Sequence, residues 1–310
     1  MRLHIIGGGS IGMLLAAKLE AYGPLKLLVR TEEQASLIRS TGLVLTDQSA
    51  KESLHYIEAA VFEGEVLDDT TAPDWIFLTV KQKDIQDDLL RGLAGQLGER
   101  TQVLCFQNGI GHADKLRAFL PEERIWLAVT TEGARRQSLN KVVHTGRGLT
   151  QVGRAYPAQA FLPQETPLAD ERYPLFSEAG LKWRLRDDIW TAVWDKLLVN
   201  SVINPLTAIW RLPNGKLLER EDRRELMREL YQEGLQTAVA HGIPTSPDLW
   251  ETLIQVCQDT SSNHSSMLQD VEKGNETEIA WINGSILEKA REKSLPLPLT
   301  EWLVRMVTAL

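Results

Sequence analysis

Three groups of residues in this 310-residue chain have the types and spacing to do chemistry. The first is Gly7-Gly8-Gly9-Ser10-Ile11-Gly12, entered directly from the apolar run Leu3–Ile6 and followed by a helical pattern. This is GxGxxG between a strand and a helix. There the first glycine permits a tight turn, the second lets backbone approach a pyrophosphate, and the third lets helix and strand pack closely. The helix start adds unbonded N–H groups and a positive dipole end for the phosphates. An isolated GxGxxG is often no more than a glycine turn, but the strand before and the helix after point to a dinucleotide.

The second group is Arg30, which follows the next apolar run, Leu25–Val29. A site for NAD usually places Asp or Glu here to accept from the ribose 2′-hydroxyl. A guanidinium cannot accept that bond, but it can pair bidentately with a 2′-phosphate. The plain alternative is a solvated charge at a strand end. Glu32 and Glu33 would suit NAD, yet they fall in the first turn of the next helical stretch, where acids favour the dipole. The reading prefers NADP.

The third group lies in the long apolar helical stretch Trp190–Trp210, where Lys196, Asn200, Asn204 and Thr207 fall on one narrow line at helical period. Pro205 should kink this helix and free the carbonyl of Ser201. A polar line on a buried helix is costly unless satisfied. It faces a ligand, water or another polar surface, or it is merely a polar seam between helices or a snorkelling lysine; spacing alone leaves these open.

These groups need elements to hold them. Apolar runs of strand length at Leu3–Ile6, Leu25–Val29, Trp75–Val80, Val103–Phe106 and Ile125–Val129 alternate with amphipathic stretches at Ile11–Tyr22, Thr31–Ser40 and Ile85–Leu97. That alternation predicts a parallel sheet covered by helices. Two β-rich runs between Lys141 and Val152 flank Gly146 and Gly148, which suggests a hairpin appended to the sheet. The Pro-rich stretch Tyr156–Pro174 would lead to a further helix and strand ending near Arg184. Beyond Arg186 helical patterns take over: Asp187–Trp210, Glu219–His241, Pro247–Asp259, Glu276–Glu292 and Thr300–Thr308. Stops fall at Gly242-Ile243-Pro244 and Leu295-Pro296-Leu297-Pro298. The expected plan is an α/β domain over residues 1–186 and an all-α domain over 187–310.

Composition sets the outer bounds. With 43% apolar and 25% charged residues, the chain is globular rather than disordered. Its net charge of −8 argues against non-specific nucleic-acid or anionic-membrane binding. Any anionic ligand must therefore be held by local cations and backbone N–H groups. No apolar run has the length of a membrane span, and the start lacks a cleavage site, so a cytoplasmic protein is expected. Cys105 and Cys257 sit in apolar sequence without metal-ligand spacing, which reads as two buried thiols and no metal. The nine tryptophans are spaced for core packing and receive no catalytic role.

The stretch Trp194-Asp195-Lys196-Leu197-Leu198-Val199-Asn200-Ser201-Val202-Ile203-Asn204-Pro205-Leu206-Thr207-Ala208 resembles the signature of the ketopantoate reductases. The resemblance continues through Pro213-Asn214-Gly215, Asn263-His264-Ser265-Ser266-Met267-Leu268-Gln269-Asp270, Thr277-Glu278-Ile279 and Ile282-Asn283-Gly284. In the first part it includes the glycine loop, Arg30, Lys81, Gln107-Asn108-Gly109 and Gly133-Ala134. One departure is Thr300, where the family commonly has Asn; either residue would cap a helix.

The resemblance implies a Rossmann-type NADP-binding domain and a helical substrate-binding domain, with NADPH-dependent reduction of 2-dehydropantoate to pantoate on the way to coenzyme A. It implies Lys196 as general acid, its pKa depressed by burial, with Glu278 orienting the site and accepting from a substrate hydroxyl. Asn200, Asn204 and Asn214 would bond substrate oxygens, and Asn263 and Ser266 the substrate carboxylate. Asn108 would lie between cofactor and substrate. Gly7, Gly8, Gly9, Ser10, Ile11, Gly12, Arg30, Lys81, Asn108, Ala134 and Glu278 would line the cofactor. Each has an ordinary alternative: Asn263 or Ser266 as a helix cap, Glu278 as a surface acid, Asn108 in an Asn-Gly turn. Lys83 and Ser265 compete with Lys81 and Asn263. The implied partner is a small 2-oxo acid; the sequence leaves a homodimer open. Two further readings stand beside this one: reduction of another branched 2-oxo acid, and a non-catalytic NADP-responsive regulator.

Arg30→Ala should weaken NADPH binding by about 1.5–3 kcal/mol, the worth of a hydrogen bond to a charged group, and hardly affect NADH. Titration of both dinucleotides checks this, and equal losses would remove Arg30 from 2′-phosphate recognition.

Overall fold

The computed structural model describes residues 1–156 and 175–310, so the Pro-rich stretch after Tyr156, residues 157–174, lies outside the described residues. Two compact units emerge: Met1–Gln107 with His112–Ile189, and Asn108–Gly111 with Trp190–Leu310.

In chain order the first unit contains β1 (Leu3–Ile6), α1 (Ser10–Leu19), β2 (Leu25–Val29), α2 (Glu32–Thr41), β3 (Leu43–Thr46), β4 (Glu52–His55), β5 (Glu58–Val61) and β6 (Trp75–Leu78). It continues with α3 (Asp87–Gly95), β7 (Gln102–Cys105), α4 (His112–Arg117), β8 (Ile125–Thr130), β9 (Gly133–Arg136), β10 (Lys141–Gly146), β11 (Thr150–Arg154), α5 (Leu175–Glu178) and β12 (Trp183–Leu185). Eight strands form one sheet in the order β12-β11-β8-β7-β6-β1-β2-β5. The expected parallel pairing holds from β8 to β5. β1, β6 and β8 are buried along their whole length, so they read as unbroken apolar runs. From β1 the chain steps first to β2 on one side and later to β6 on the other. The carboxyl ends of β1 and β6 are therefore the switch point where open α/β sheets bind ligands, and the glycine loop begins there.

The expected hairpin about Gly146 and Gly148 is not present. β10 belongs to a second sheet, order β4-β3-β10-β9, whereas β11 lies in the main sheet antiparallel to β8. β8–β9 and β10–β11 are the two arms of one long bent hairpin, and its turn is at Ser138–Asn140, where Gln137 N donates to the Lys141 carbonyl at 2.8 Å. Gly148 marks the bend between sheets: a Cβ there would collide with the Thr131–Glu132 backbone. Glycine was needed for close approach rather than for a turn.

The second unit is helical: α6 (Ile189–Trp210), α7 (Glu221–Ala240), α8 (Leu249–Asp259), α9 (Ser266–Glu272), α10 (Asn283–Glu292) and α11 (Pro298–Thr308). The helix expected from Glu276 starts only at Asn283. Before it, Trp281 N and Ile282 N both donate to the Glu278 carbonyl at 3.1 Å and close a turn. Thr300 is not a cap either. Leu297 holds that position, and the Glu233 carboxylate of α7 accepts from Leu299 N (2.9 Å), Thr300 N (2.7 Å) and Thr300 Oγ1 (2.6 Å). An acid from a neighbouring helix satisfies the orphan donors and meets the dipole. Both thiols are buried and unbridged, and burial pushes Cys257 up to about 12. No helix among the described residues is long and apolar enough to cross a membrane.

Candidate active site

The three tasks expected of the glycine loop fall on separate residues. Gly7 has φ +124°, a conformation that favours glycine, and a Cβ there would press on Thr79 and Val80. A Cβ on Gly12 would collide with the Gly7 carbonyl oxygen, so only glycine lets α1 pack this close to β1. Gly9 is the N-cap of α1 in extended conformation, and a Cβ there would meet nothing within 4 Å. Its backbone is open to a ligand. Ser10 and Ile11 begin α1, and Ser10 Oγ accepts from Arg136 N at 2.9 Å. Gln34 Nε2 donates to both the Gly8 and Leu139 carbonyls at 2.9 Å, tying the loop to the hairpin turn.

The other residues expected to line the cofactor lie around this end of the sheet. Arg30 follows β2 with its side chain 86% exposed, and its only carboxylate neighbour among the described residues is Asp84 at 4.0 Å. Glu32 and Glu33 open α2, as expected, with Thr31 as cap. Lys81 follows β6 and starts the short 3-10 turn Gln82–Asp84. Ala134, on β9, packs against the core cluster that includes α1. Gln107 Nε2 donates to the Leu78 and Val80 carbonyls at 2.9 Å and stitches the end of β7 to that of β6.

In the second unit the polar line on α6 divides into two parts. Thr207 is fully buried; its hydroxyl donates to the Ile203 carbonyl (2.8 Å) and shares a second hydrogen bond with the Ser265 hydroxyl (2.7 Å), so this end is the helix seam. Asn204 is also buried, but Lys196 and Asn200 are only partly so. Loss of hydration pulls the Lys196 ammonium down from 10.5 to about 8, and the Glu278 carboxylate opposes that fall. Glu278 Oε2 in turn accepts from Asn108 Nδ2 at 3.2 Å. A cation, a carboxylate and an amide are thus assembled from α6, the turn before α10, and the loop after β7.

Pro205 frees the Ser201 carbonyl as expected, and the buried Asn283 takes it up, Nδ2 to O 2.8 Å. Asn283 was not predicted for this role. The demand for a donor was visible in Pro205, but not the residue that meets it. Asp195 is a second omission: its carboxylate accepts from Ser246 N (3.0 Å) and Oγ (2.6 Å), anchoring α6 beside Lys196.

Asn214 and Asn263 come together through backbone, Asn214 N donating to the Asn263 carbonyl at 3.0 Å. Asn214 Nδ2 is held by Thr260 Oγ1 at 2.8 Å, while its buried Oδ1 has no donor among the described residues. Neither Asn263 nor Ser266 is a helix cap; both are exposed, and Ser265 caps α9 through Leu268 N.

Comparison with known proteins places the chain. Residues 3–156 match the family described as "Ketopantoate reductase PanE/ApbA", and residues 188–310 match "Ketopantoate reductase PanE/ApbA C terminal". A 2-dehydropantoate 2-reductase of Pyrococcus horikoshii is 31% identical over 309 residues, covering 100% of this chain and 97% of its own. The chain belongs to the ketopantoate reductase family. A ketopantoate reductase structure from Ralstonia eutropha superposes with a TM-score of 0.87 at 26% identity, covering 100% of this chain and 98% of that one. A D-mandelate dehydrogenase structure shares the fold equally well, TM-score 0.87 at 24% identity, with the same coverage of 100% and 98%. The ketopantoate reductase fold therefore does not by itself choose the substrate.

Gly12→Ala should destabilise the protein by about 1–3 kcal/mol or more, because the collision is with backbone. Gly9→Ala should leave the thermal midpoint near wild type yet weaken dinucleotide binding. Calorimetry and ligand titration on both variants check the division of roles.

Proposed function

We propose that this chain reduces 2-dehydropantoate to pantoate, with NADPH as reductant and Lys196 as the acid. Support for the substrate comes from the family and from relatives named for that reaction. The observation that carries the chemistry is a lysine with its pKa near 8 beside Glu278, at the head of the polar line on a mostly apolar helix.

The residues present suit a dinucleotide. The open backbone at Gly9, the first-turn N–H groups of α1 and the close packing at Gly12 form a cradle for a pyrophosphate. Arg30 would take the 2′-phosphate of NADPH, and Lys81 and Ala134 would border the same cofactor. When bound, the dinucleotide supplies the hydride.

The chain's own residues handle charge and proton. As the carbonyl carbon is reduced, its oxygen gains negative charge, which the Lys196 ammonium stabilises and then quenches by donating a proton. A pKa near 8 keeps the ammonium protonated at neutral pH while making it a better acid than ordinary lysine. Glu278 works against the loss of the proton that burial favours, and Asn108 donates to the carboxylate. Asn200, Asn204 and Asn214 are the amides assigned to substrate oxygens. Asn263 and Ser266, exposed at the start of α9, are assigned to the substrate carboxylate.

The decisive experiment follows NADPH oxidation against a panel of 2-oxo acids. 2-Dehydropantoate should give the highest kcat/KM. Preference for another branched acid would move the chain to that substrate, and binding of NADPH without turnover on any acid would leave a regulator. Lys196→Ala should lower turnover about 10²–10⁴-fold with NADPH affinity retained. Wild-type turnover should fall as pH rises through about 8, where the donor deprotonates, and the variant should lack that limb. More than about a tenth of wild-type turnover in Lys196→Ala would rule out Lys196 as the acid.

A further inference from the structure

The bent hairpin of the first unit brings a cation to the glycine loop that the sequence did not single out. Side chains on a strand alternate between faces, so on β9 Ala134 and Arg136 share one face and Arg135 takes the other. Ala134 packs against the core cluster that contains α1 residues, which directs this face towards the start of α1. Arg136 N donates to Ser10 Oγ at 2.9 Å, and its guanidinium Nη1 reaches the Gly8 carbonyl at 3.3 Å. Gly8 and Ser10 flank Gly9, the loop residue whose backbone is open.

Among the described residues, Arg136 lies beside the loop with no acid to neutralise it. Arg39, Arg91 and Arg305 each pair with a carboxylate, as expected where 42 acids face 34 lysines and arginines. Arg136 is exposed, and among the described residues no carboxylate lies within ion-pair distance of it. Its one guanidinium hydrogen bond there, at 3.3 Å to a backbone carbonyl, leaves most of a five-donor fork for an anion. An acidic protein needs such local cations to hold a polyanion against its overall field.

We propose that Arg136 is a second phosphate-holding cation of the dinucleotide site, supplied by β9 and reaching the glycine loop from the side of the second sheet. This rests on the reading of the first unit as dinucleotide-binding. The group it holds is a phosphoryl group of the cofactor, either the pyrophosphate or a 2′-phosphate. The Ser10 contact involves only the Arg136 backbone, so truncating the side chain leaves that contact in place.

The test is equilibrium titration of NADPH and NADH, by fluorescence or calorimetry, into wild type, Arg136→Gln and Arg136→Lys. Melting of the ligand-free proteins serves as the fold control. Arg136→Gln should bind NADPH about tenfold or more weakly, the scale of one charge-assisted bond, with a shallower salt dependence. Arg136→Lys, which keeps the charge but loses the fork, should fall between. Equal loss for both dinucleotides assigns the pyrophosphate, and loss for NADPH alone the 2′-phosphate; either supports the proposal. Wild-type affinity in Arg136→Gln, with wild type itself binding, overturns the proposal and leaves the dinucleotide reading standing. Wild-type protein that binds neither dinucleotide overturns both.

Discussion

A single constraint organises the second unit: an ammonium group is carried on a helix that is mostly apolar. Placed there alone, Lys196 would lose its proton more readily, because burial favours its neutral form. Glu278 holds it part-way, at about 8 rather than at the ordinary 10.5. The balance needs a carboxylate of fixed position. The turn before α10, closed on the Glu278 carbonyl, and the amide of Asn108 supply that fixity. Either force acting alone would give a poorer acid at neutral pH: full burial a neutral amine, a free ion pair an ordinary lysine.

The same helix has to tolerate a proline. Pro205 cannot donate to the Ser201 carbonyl, and a buried carbonyl without a donor costs about 1–3 kcal/mol. Asn283 removes that cost, and because it is the first residue of α10, it ties α10 to α6 one turn beyond Lys196. The polar line that looked uniform in sequence is therefore heterogeneous. Its far end, Thr207 with Ser265, is helix-to-helix structure, and its near end, Lys196 with Asn200, carries the partly exposed polar groups.

What the sequence disclosed follows from burial. β1, β6 and β8 are buried on both faces and were legible as apolar runs, whereas β3, β4, β5 and β9 are four-residue strands, mostly with exposed or half-exposed positions, and gave no signal. Gly146 and Gly148 misled because a glycine at a bend between sheets looks the same as one in a hairpin turn. The true turn, Ser138-Leu139-Asn140, contains none. The backbone geometry of the glycine loop was legible, since its demands on Gly7, Gly9 and Gly12 are local. Lys196 stood out because a cation on an apolar helix needs an explanation. Asn283, Glu233 and Arg136 did not, because each meets a need created by backbone distant in sequence, 82 residues away for Asn283 and Ser201. Spacing reports what one element requires and not which other element provides it.

The balance at Lys196 can be measured without turnover. A pH titration of the Lys196 side chain by heteronuclear NMR of lysine-labelled protein, assigned by loss of the signal in Lys196→Ala, should give a midpoint near 8. Because Glu278 raises that midpoint, Glu278→Gln should lower it further. A midpoint at the ordinary 10.5, or one that Glu278→Gln leaves unmoved, would contradict the account of Lys196 as a lysine tuned by burial and held by Glu278.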